Sequence, residues 1–425
     1  MPNPTPTRLS SVIWWSVISA AFIGPGTVTT AVMAGAQFQL SLIWTVVFAT
    51  LACVVLQEAS ARIIISSQLN LGQAITRKFH RYGGMVKILV AVPVLLGCAA
   101  YEAGNILGGV SGMSLMYTGD TQIYTWMITL LSAIILWQGG NRWIAWTMTA
   151  LVGLMGCAFL FLALQKDFSR AEVWMAFTPA IPSGSEWIVL ALVGTTIVPY
   201  NVFIGSAISK GQTMSHMRIG LSISVFIGGL ITMWILMAGA TVGTFTSFAE
   251  LALSFNNSLG AAGSWFLGIG LFAAGFSSAI TSPYAASLIG QSVFEVQNKW
   301  VLRSIWMTVL LIGFGFGISG VKPIPIILAV QALNGLILPF LTYILIILVN
   351  DSTLIASEDQ HPRWYNGVLL IIFGITTLIG LTSLDKAWVS AFSLPSAHLP
   401  AVMVTTFLLL GAVAFQLFRQ PQGKR

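Results

Sequence analysis

Charged residues are scarce in this sequence. Only 7% of its 425 residues are Asp, Glu, Lys or Arg, whereas an average soluble domain carries about 25%. This scarcity excludes a soluble globular protein. Apolar residues make up 56% of the chain, and they form runs near the length of about 20 residues that a membrane-spanning helix needs. We therefore predict an all-α polytopic membrane protein.

The sequence also has only three cysteines and four histidines. The cysteines lack CxxC spacing and lie in apolar runs, so we expect buried apolar thiols at Cys53, Cys98 and Cys157. The histidines fall between the runs or at their ends, where we expect solvated side chains rather than a metal site: His80, His216, His361 and His398. Hydrolytic triads, P-loops and dinucleotide-binding fingerprints are missing too, so the sequence predicts neither an enzyme nor a cofactor.

Twelve apolar segments are long enough to span a bilayer, and short joints connect them. They cover 11–36, 41–66, 85–112, 122–138, 143–164, 186–208, 217–243, 261–290, 301–319, 324–349, 365–383 and 399–418. We expect a single transmembrane domain over residues 1–425. The acidic joint at 350–364 reads as a solvated loop.

The basic residues predict the orientation. With the N-terminus in the cytoplasm, fifteen Lys and Arg residues fall on the inner side, and four, Lys166, Arg170, Lys322 and Lys386, on the outer side. An excess of Lys and Arg marks the cytoplasmic side, so both termini are expected inside. The net charge of +7 is then a topology signal rather than a sign of a nucleic-acid partner. The simple chain fits a bacterial inner membrane.

Two of the apolar segments are interrupted at their centres. The first contains AAFIGPGTVTT (20–30), and the sixth contains LVGTTIVPYNVFIGSA (192–207). Proline removes an N–H donor, and an unsatisfied backbone group in lipid costs several kcal/mol. One alternative is a packing kink satisfied by nearby Thr and Ser side chains. The other is a mid-membrane binding site, for which paired interrupted helices are the sequence signal.

The two breaks occupy matching positions in consecutive blocks of five spans. Five is odd, so the second block, about 186–349, is inverted relative to the first, about 11–164. The segments at about 365–418 lie outside the repeat. This arrangement predicts an inverted-repeat transporter whose substrate site lies between the broken helices.

Several stretches resemble the NRAMP family in order along nearly the whole chain. They are FIGPGTVTTAVMAGAQFQLSLIW, VPYNVFIGSAIS, AAGFSSAITSPYA, AVQALNGLILPF and HPRWYN. The resemblance implies a LeuT-like fold with two additional C-terminal helices. It also implies transport of divalent metals, usually Mn²⁺ or Fe²⁺, by symport with protons.

The same resemblance assigns a substrate site and shows where this chain departs from it. The family's metal-binding Asp and its Asn fall on Gly24 and Thr27, and its Met and His fall on Val198 and Tyr200. The helix-break residues Pro25, Gly26 and Pro199 are kept, together with Asn201. The remaining donors implied by the family are the carbonyls of Ala21 and Thr195 and the side chain of Gln331.

Proton or ion coupling is implied for a second group of residues. Glu102 stands where the family has an acidic proton-path residue, and Asn105 where a second acid is common. Arg303 matches one Arg of a family pair, and the other falls on Ser304. Ionisable groups inside spans are rare and usually functional, although a structural carboxylate at Glu102 remains an alternative. Glu58 and Arg62 are four residues apart, and we expect them to pair on one helix face.

The donors left at the breaks are neutral oxygens. Transition metals favour imidazole, thioether or carboxylate ligands, and a dehydrated divalent ion without a carboxylate lacks charge compensation. The sequence therefore predicts an NRAMP-like secondary transporter of a small solute, by resemblance a metal cation, held partly through water. The alternatives are a small organic or neutral solute in the same fold, or a sensor that does not transport. The expected partners are the solute, a coupling proton or monovalent cation, and the lipid bilayer.

Overall fold

The computed structural model describes residue 15 and residues 17–138, 141–243, 245–392 and 399–419. Within these ranges the chain forms helices joined by turns and short loops, without a strand. The all-α prediction is therefore confirmed. For a few residues inside helices, Gln331 among them, the side chains lie outside this description.

A helical segment at 17–22 precedes sixteen α-helices and the 3-10 turns His80–Tyr82 and Ser357–Asp359. The α-helices are α1 Pro25–Phe38, α2 Ile43–Ser67, α3 Leu71–Phe79, α4 Gly83–Met116, α5 Thr121–Gln138, α6 Asn141–Ala163, α7 Arg170–Met175, α8 Glu186–Thr196, α9 Pro199–Ser209, α10 Met214–Gly239, α11 Phe248–Leu259, α12 Ala262–Val293, α13 Lys299–Ile318, α14 Pro323–Val349, α15 Arg363–Phe392 and α16 Leu399–Arg419.

Each of the twelve predicted segments corresponds to a helix or a broken pair of helices. Nine helices among the described residues are long and apolar enough to cross a membrane. Two of the other three predicted segments coincide with α5 and α14, and the described part of the first segment coincides with 17–22 plus α1; its residues 11–14 and 16 lie outside the described residues. The chain is thus an integral membrane protein.

Three joints contain short α-helices that the sequence analysis does not predict: α3, α7 and α11. Each begins at a side-chain cap. Asn70 and Ser169 form capping boxes with the residue three positions later, and the Ser247 hydroxyl accepts from the Glu250 N–H. Such caps satisfy N–H groups that lack an intrahelical partner, so the joints are more ordered than simple loops.

Helix α12 packs along α4 through backbone-to-backbone contact. A Cβ atom at Gly275 would lie 2.3 Å from the Gly109 nitrogen, so a side chain there is sterically excluded. Small residues let helices approach closely in membranes, where tight packing replaces the hydrophobic effect as the driving force. This contact fixes α4, which carries Glu102, against α12.

The cysteine prediction is correct for two residues and wrong for the third. Cys53 and Cys98 are buried, whereas Cys157 is exposed on α6. The reason is that a helix on the outside of a bundle turns part of its apolar surface toward lipid. An apolar position in a membrane helix is therefore not always an interior one.

The end of the bundle predicted to be cytoplasmic holds a buried ionic cluster. Glu58 accepts from Arg62 Nη2 at 2.5 Å, as the four-residue spacing predicts. It also accepts from Arg218 Nε at 3.0 Å and from the Tyr365 hydroxyl at 2.6 Å. Arg62 also donates to the carbonyl of Asp359. The cluster joins α2, α10, α15 and the acidic joint.

The acidic joint is less solvated than the sequence predicts. Asp351 is only 8% exposed and lies 2.6 Å from Lys78 Nζ, and Leu354 and Ile355 are buried. Burial raises the pKa of Asp351, but the hydrogen bonds from Lys78 and Thr353 outweigh burial and hold this pKa below its usual value. The joint is therefore anchored to α3, because its carboxylate has a cationic partner there.

Candidate functional site

The first break separates the segment 17–22 from α1. Pro25 occupies the first position of α1, where its missing N–H and fixed φ are tolerated. Gly24 precedes it with φ −99° and ψ −177°, an extended conformation that any residue adopts. The helix therefore breaks because of Pro25, and the backbone at Gly24 does not itself require glycine.

The second break separates α8 from α9 in the same manner. Pro199 begins α9, and Val198, which is buried, precedes it in an extended conformation. Pro199 lacks the N–H that would otherwise bond to the Thr195 carbonyl. Thus α1 and α9 both begin at the breaks with N-termini uncapped by side chains.

The two breaks touch each other. The hydroxyls of Thr30 and Thr195 lie 3.5 Å apart, and the Tyr200 hydroxyl donates to the Ala21 carbonyl at 2.8 Å. The Tyr200 ring meets the edge of Tyr101, with 5.7 Å between ring centroids. Residues 179 positions apart in sequence are therefore joined across the centre of the bundle.

Three consecutive carbonyls at the first break accept hydrogen bonds from hydroxyl groups. Ser277 and Ser278 donate to Ala20 at 3.5 and 3.4 Å, Tyr200 donates to Ala21, and Thr27 donates to Phe22 at 2.5 Å. Neither Ser277 nor Ser278 is predicted as a site residue. Their hydroxyls lie in the quoted stretch AAGFSSAITSPYA, but its spacing does not indicate which carbonyl they reach.

Asn201 is buried beside the second break with unused hydrogen-bonding capacity. It is 0% exposed, and neither its Oδ1 nor its Nδ2 has a partner within the described parts of the chain. Buried amides almost always have partners, and leaving one without them costs about 1–3 kcal/mol. The carboxamide is therefore a candidate group for contact with a solute or water when the site opens.

Glu102 and Asn105 lie next to the first break. An atom at the Cβ position of Gly24 would lie 2.8 Å from Ser278 Oγ and 3.5 Å from Asn105 Oδ1. Asn105 Nδ2 donates to Glu102 Oε2 at 3.3 Å. Glu102 is 0% exposed, and its Oε1 has no partner among residues whose side chains are described. Asn105 thus links the buried carboxyl group of Glu102 to the space beside Gly24.

The structure does not bring all of the predicted site residues to the contact between the two breaks. Arg303 stacks on Trp137 and Trp300, with its guanidinium carbon 4.2 and 5.0 Å from the ring centroids. Glu102 packs against Gly313, and Arg303 lies ten positions before Gly313 on the same helix, a rise of about 15 Å. Gln331 lies on α14, but its side chain is outside the described residues.

The donor set at the centre is neutral apart from Glu102. Groups of three or more His, Cys, Asp or Glu side chains that would hold a metal do not occur in the described parts of the chain. Carbonyls, hydroxyls and an amide remain, and neutral oxygens bind hard or hydrated cations and polar solutes. The arrangement can therefore bind a small polar or cationic solute.

Comparison with known proteins gives a family match and a fold match. The Nramp family model, described as natural resistance-associated macrophage protein-like, matches residues 16–385. A divalent metal cation transporter, MntH of Verminephrobacter eiseniae (strain EF01-2), is 26% identical over 316 residues, which cover 68% of this chain and 70% of that protein.

Two solved structures share the LeuT-like fold of this chain. One is an Eremococcus coleocola manganese transporter in complex with an aromatic bis-isothiourea compound, with a TM-score of 0.79 and 18% identity over 98% of this chain and 95% of that one. The other is MhsT in complex with L-phenylalanine, with a TM-score of 0.63 and 15% identity over 91% and 100% of the two chains. These likenesses confirm the predicted architecture with broken first and sixth helices.

Proposed function

Since the chain belongs to the NRAMP family, we propose that it is a secondary transporter that moves a small solute by alternating access. The observation that supports this most directly is the contact between the two breaks, where Tyr200 bonds to Ala21 and Thr30 faces Thr195. Sites of this kind lie near the bilayer midplane and are reached from each side in turn. The proposed membrane is a bacterial inner membrane.

A metal cation is the first candidate for the solute. The supporting fact is that a sequence relative is named as a divalent metal cation transporter. Gly24 and Val198 supply neither carboxylate nor thioether, so we propose that the ion is held through water by Thr27, Tyr200 and Asn201. The carbonyl of Thr195, which Pro199 leaves without its helical N–H partner, and the side chain of Gln331 complete the proposed site.

Glu102 is the proposed coupling group. It is buried next to Asn105, and Asn105 reaches the space beside Gly24. A carboxyl group linked to the break through Asn105 is placed to take up a proton when the site opens to the other side of the membrane. Arg303 stacks between tryptophans at one end of α13. We propose that its positive charge there contributes to the coupling.

A small organic solute is the second candidate. Two observations favour it: the Ala21 carbonyl already has a donor, and both polar atoms of Asn201 lack partners within the described residues. An amide that both donates and accepts suits a polar organic molecule. A protein of the same fold is titled as a complex with L-phenylalanine, so the fold itself does not restrict the solute to ions.

Uptake into liposomes distinguishes the two candidates. The purified protein is reconstituted, and uptake of Mn²⁺, Co²⁺, Mg²⁺ and Ca²⁺ is followed with a fluorescent reporter. We expect uptake of at least one ion. If no ion enters, and an amino acid or amine raises the melting temperature of the protein, the metal assignment is wrong and the organic solute replaces it.

Thr27→Ala tests whether the first break is the site. The hydroxyl of Thr27 caps the Phe22 carbonyl, so its loss leaves a buried acceptor unsatisfied and is expected to lower uptake about tenfold, the equivalent of about 1.4 kcal/mol. Thr406→Ala is the matched control, because that hydroxyl bonds within α16, outside the repeats. Equal uptake by wild type and Thr27→Ala would place the site elsewhere.

A further inference from the structure

The hydroxyl of Tyr200 is bonded to the Ala21 carbonyl, an oxygen that the first break would otherwise offer to a cation. Pro25 lacks the N–H that would bond to the Ala21 carbonyl, and unwound carbonyls of this kind coordinate ions in transporters with broken helices. Here the Tyr200 hydroxyl donates to that carbonyl at 2.8 Å, and both groups are buried. A bare cation would have to displace this donor.

The surroundings of Tyr200 hold the ring in place. The ring is 2% exposed and contacts the edge of Tyr101. The neighbouring carbonyls of Ala20 and Phe22 are capped by Ser and Thr hydroxyls. The break therefore closes with its carbonyls satisfied by the protein, and it needs no ion for that purpose.

We propose that Tyr200 is a specificity-determining residue that excludes direct coordination of a dehydrated divalent cation by the Ala21 carbonyl. The inference rests on the proposed transport function, because it concerns the solute that enters the same site. Under this assignment a cation that passes keeps its inner water shell, and removal of the Tyr200 hydroxyl makes the carbonyl available for direct coordination.

This chain has Gly24 where the NRAMP resemblance implies a metal-binding Asp. A carboxylate must therefore be introduced at this position before the effect of Tyr200 on cation coordination can be measured. Gly24 has a backbone conformation open to any residue. A Cβ atom there would lie 2.8 Å from Ser278 Oγ and 3.5 Å from both Ser278 Cβ and Asn105 Oδ1, so rotation of the Ser278 hydroxyl relieves the closest contact at the loss of one long hydrogen bond. Gly24→Asp is therefore a suitable background for Tyr200→Phe, which keeps the ring and removes only the hydroxyl.

The test compares Mn²⁺ binding to purified Gly24→Asp and to the double variant with Tyr200→Phe, by titration calorimetry in detergent. We expect the double variant to bind at least about tenfold more tightly, if the regained carbonyl–ion contact is at least as strong as a hydrogen bond to a charged group. Tyr124→Phe in the Gly24→Asp background is the control, since the Tyr124 hydroxyl also donates to a carbonyl, that of Tyr117, outside the site. The control should leave the dissociation constant unchanged.

Three results overturn the proposal. They are equal or weaker Mn²⁺ binding by the double variant, an equal gain from Tyr124→Phe, and no binding by either Gly24→Asp or the double variant. In the last case the double variant would offer both the introduced carboxylate and the free Ala21 carbonyl, and it would still bind no ion. Melting temperatures without ion show whether each variant is folded. Because the comparison measures binding only, it stands even if wild-type liposomes transport nothing, which would instead contradict the proposed function.

Discussion

Glu102 brings a carboxyl group to an otherwise neutral group of side chains. Its position against Gly313 is tight, since a Cβ atom at Gly313 would lie 2.6 Å from Glu102 Cγ. One carboxyl oxygen accepts from Asn105, and the other has no partner in the described structure. Charging such a group in a dry interior is unfavourable unless a cation or water reaches it. Its protonation is therefore expected to depend on whether the site is open.

Glu102→Gln tests this dependence. The carboxamide matches the carboxyl group in size and cannot lose a proton, so we expect solute uptake to lose its acceleration by an inward proton gradient. The measurement is initial uptake into liposomes at several external pH values. Glu172→Gln, an exposed carboxylate on α7, is the control and should keep the wild-type profile. An unchanged profile for Glu102→Gln would remove Glu102 from the coupling role.

The site was only partly predictable at the scale of residues. The sequence identifies Gly24, Thr27 and Tyr200 as the positions that depart from the family. It does not reveal that the Tyr200 hydroxyl reaches Ala21, because that contact joins helices that meet only in the folded molecule. The same holds for Ser277 and Ser278. Roles of the site residues remain proposals.

The breaks are the features of the helices that sequence predicts best. Pro25 and Pro199 each begin a helix, because proline lacks the N–H donor that a helix interior uses. The ends of most spans follow the apolar runs within a few residues. The short helices α3, α7 and α11 are missed because their signals are polar caps and not hydropathy.

Gly108→Ala tests how the first break is held by its neighbour α4. A Cβ atom at Gly108 would lie 2.2 Å from Pro25 Cγ and 2.3 Å from Pro25 Cβ, both atoms of a rigid ring. Overpacking of this kind typically costs about 1–3 kcal/mol, so we expect a lower melting temperature and reduced uptake.

Gly153→Ala is the matched control for this helix contact. Nothing lies within 4 Å of the Cβ position at Gly153 in α6, so this substitution should be neutral, or stabilising by about 1 kcal/mol through helix propensity. Thermal unfolding of the purified variants measures both effects. Equal melting temperatures for Gly108→Ala and wild type would mean that α1 shifts freely on α4.

At the scale of the whole molecule, the spacing of the two breaks predicts an inverted-repeat transporter, and the NRAMP resemblance implies the LeuT-like fold that the solved structures confirm. The orientation and the repeat bounds of 11–164 and 186–349 remain predictions from the basic residues and the spacing. The spacing does not show which contacts hold the two predicted blocks together. In the structure, Glu58 joins α2 of the predicted first block to α10 of the predicted second block, and it also joins both to α15, outside the predicted repeat.

The proposed alternating access requires the helices at each end of the bundle to separate in turn. The cluster around Glu58 opposes separation at the predicted cytoplasmic end, because one carboxylate binds two guanidinium groups and a hydroxyl. Arg62 is 3% exposed and Arg218 is 51% exposed. Breaking the Glu58–Arg62 bond therefore costs more than breaking the Glu58–Arg218 bond, because the buried Arg62 has little access to water that could replace Glu58.

Glu58→Gln removes the charge that holds this cluster while keeping its size. Loss of one partner of a buried ion pair leaves the other uncompensated, and with the half-exposed Arg218 discounted we expect a loss on the order of 3 kcal/mol of unfolding free energy. Glu295→Gln is the control, because Glu295 is half-exposed and lies 4.0 Å from Lys87, a pair worth at most about 1 kcal/mol. Thermal unfolding compares the two.

Cysteine labelling tests whether the cluster also keeps this end closed. The probe is a cysteine introduced at Ser60, which is buried in α2 and bonded to Val202, in a Cys157→Ser background, because Cys157 is itself exposed. Its labelling should become faster in Glu58→Gln if the cluster keeps this end closed. Wild-type labelling rates in that variant would mean that the cluster stabilises the fold without acting as a lock.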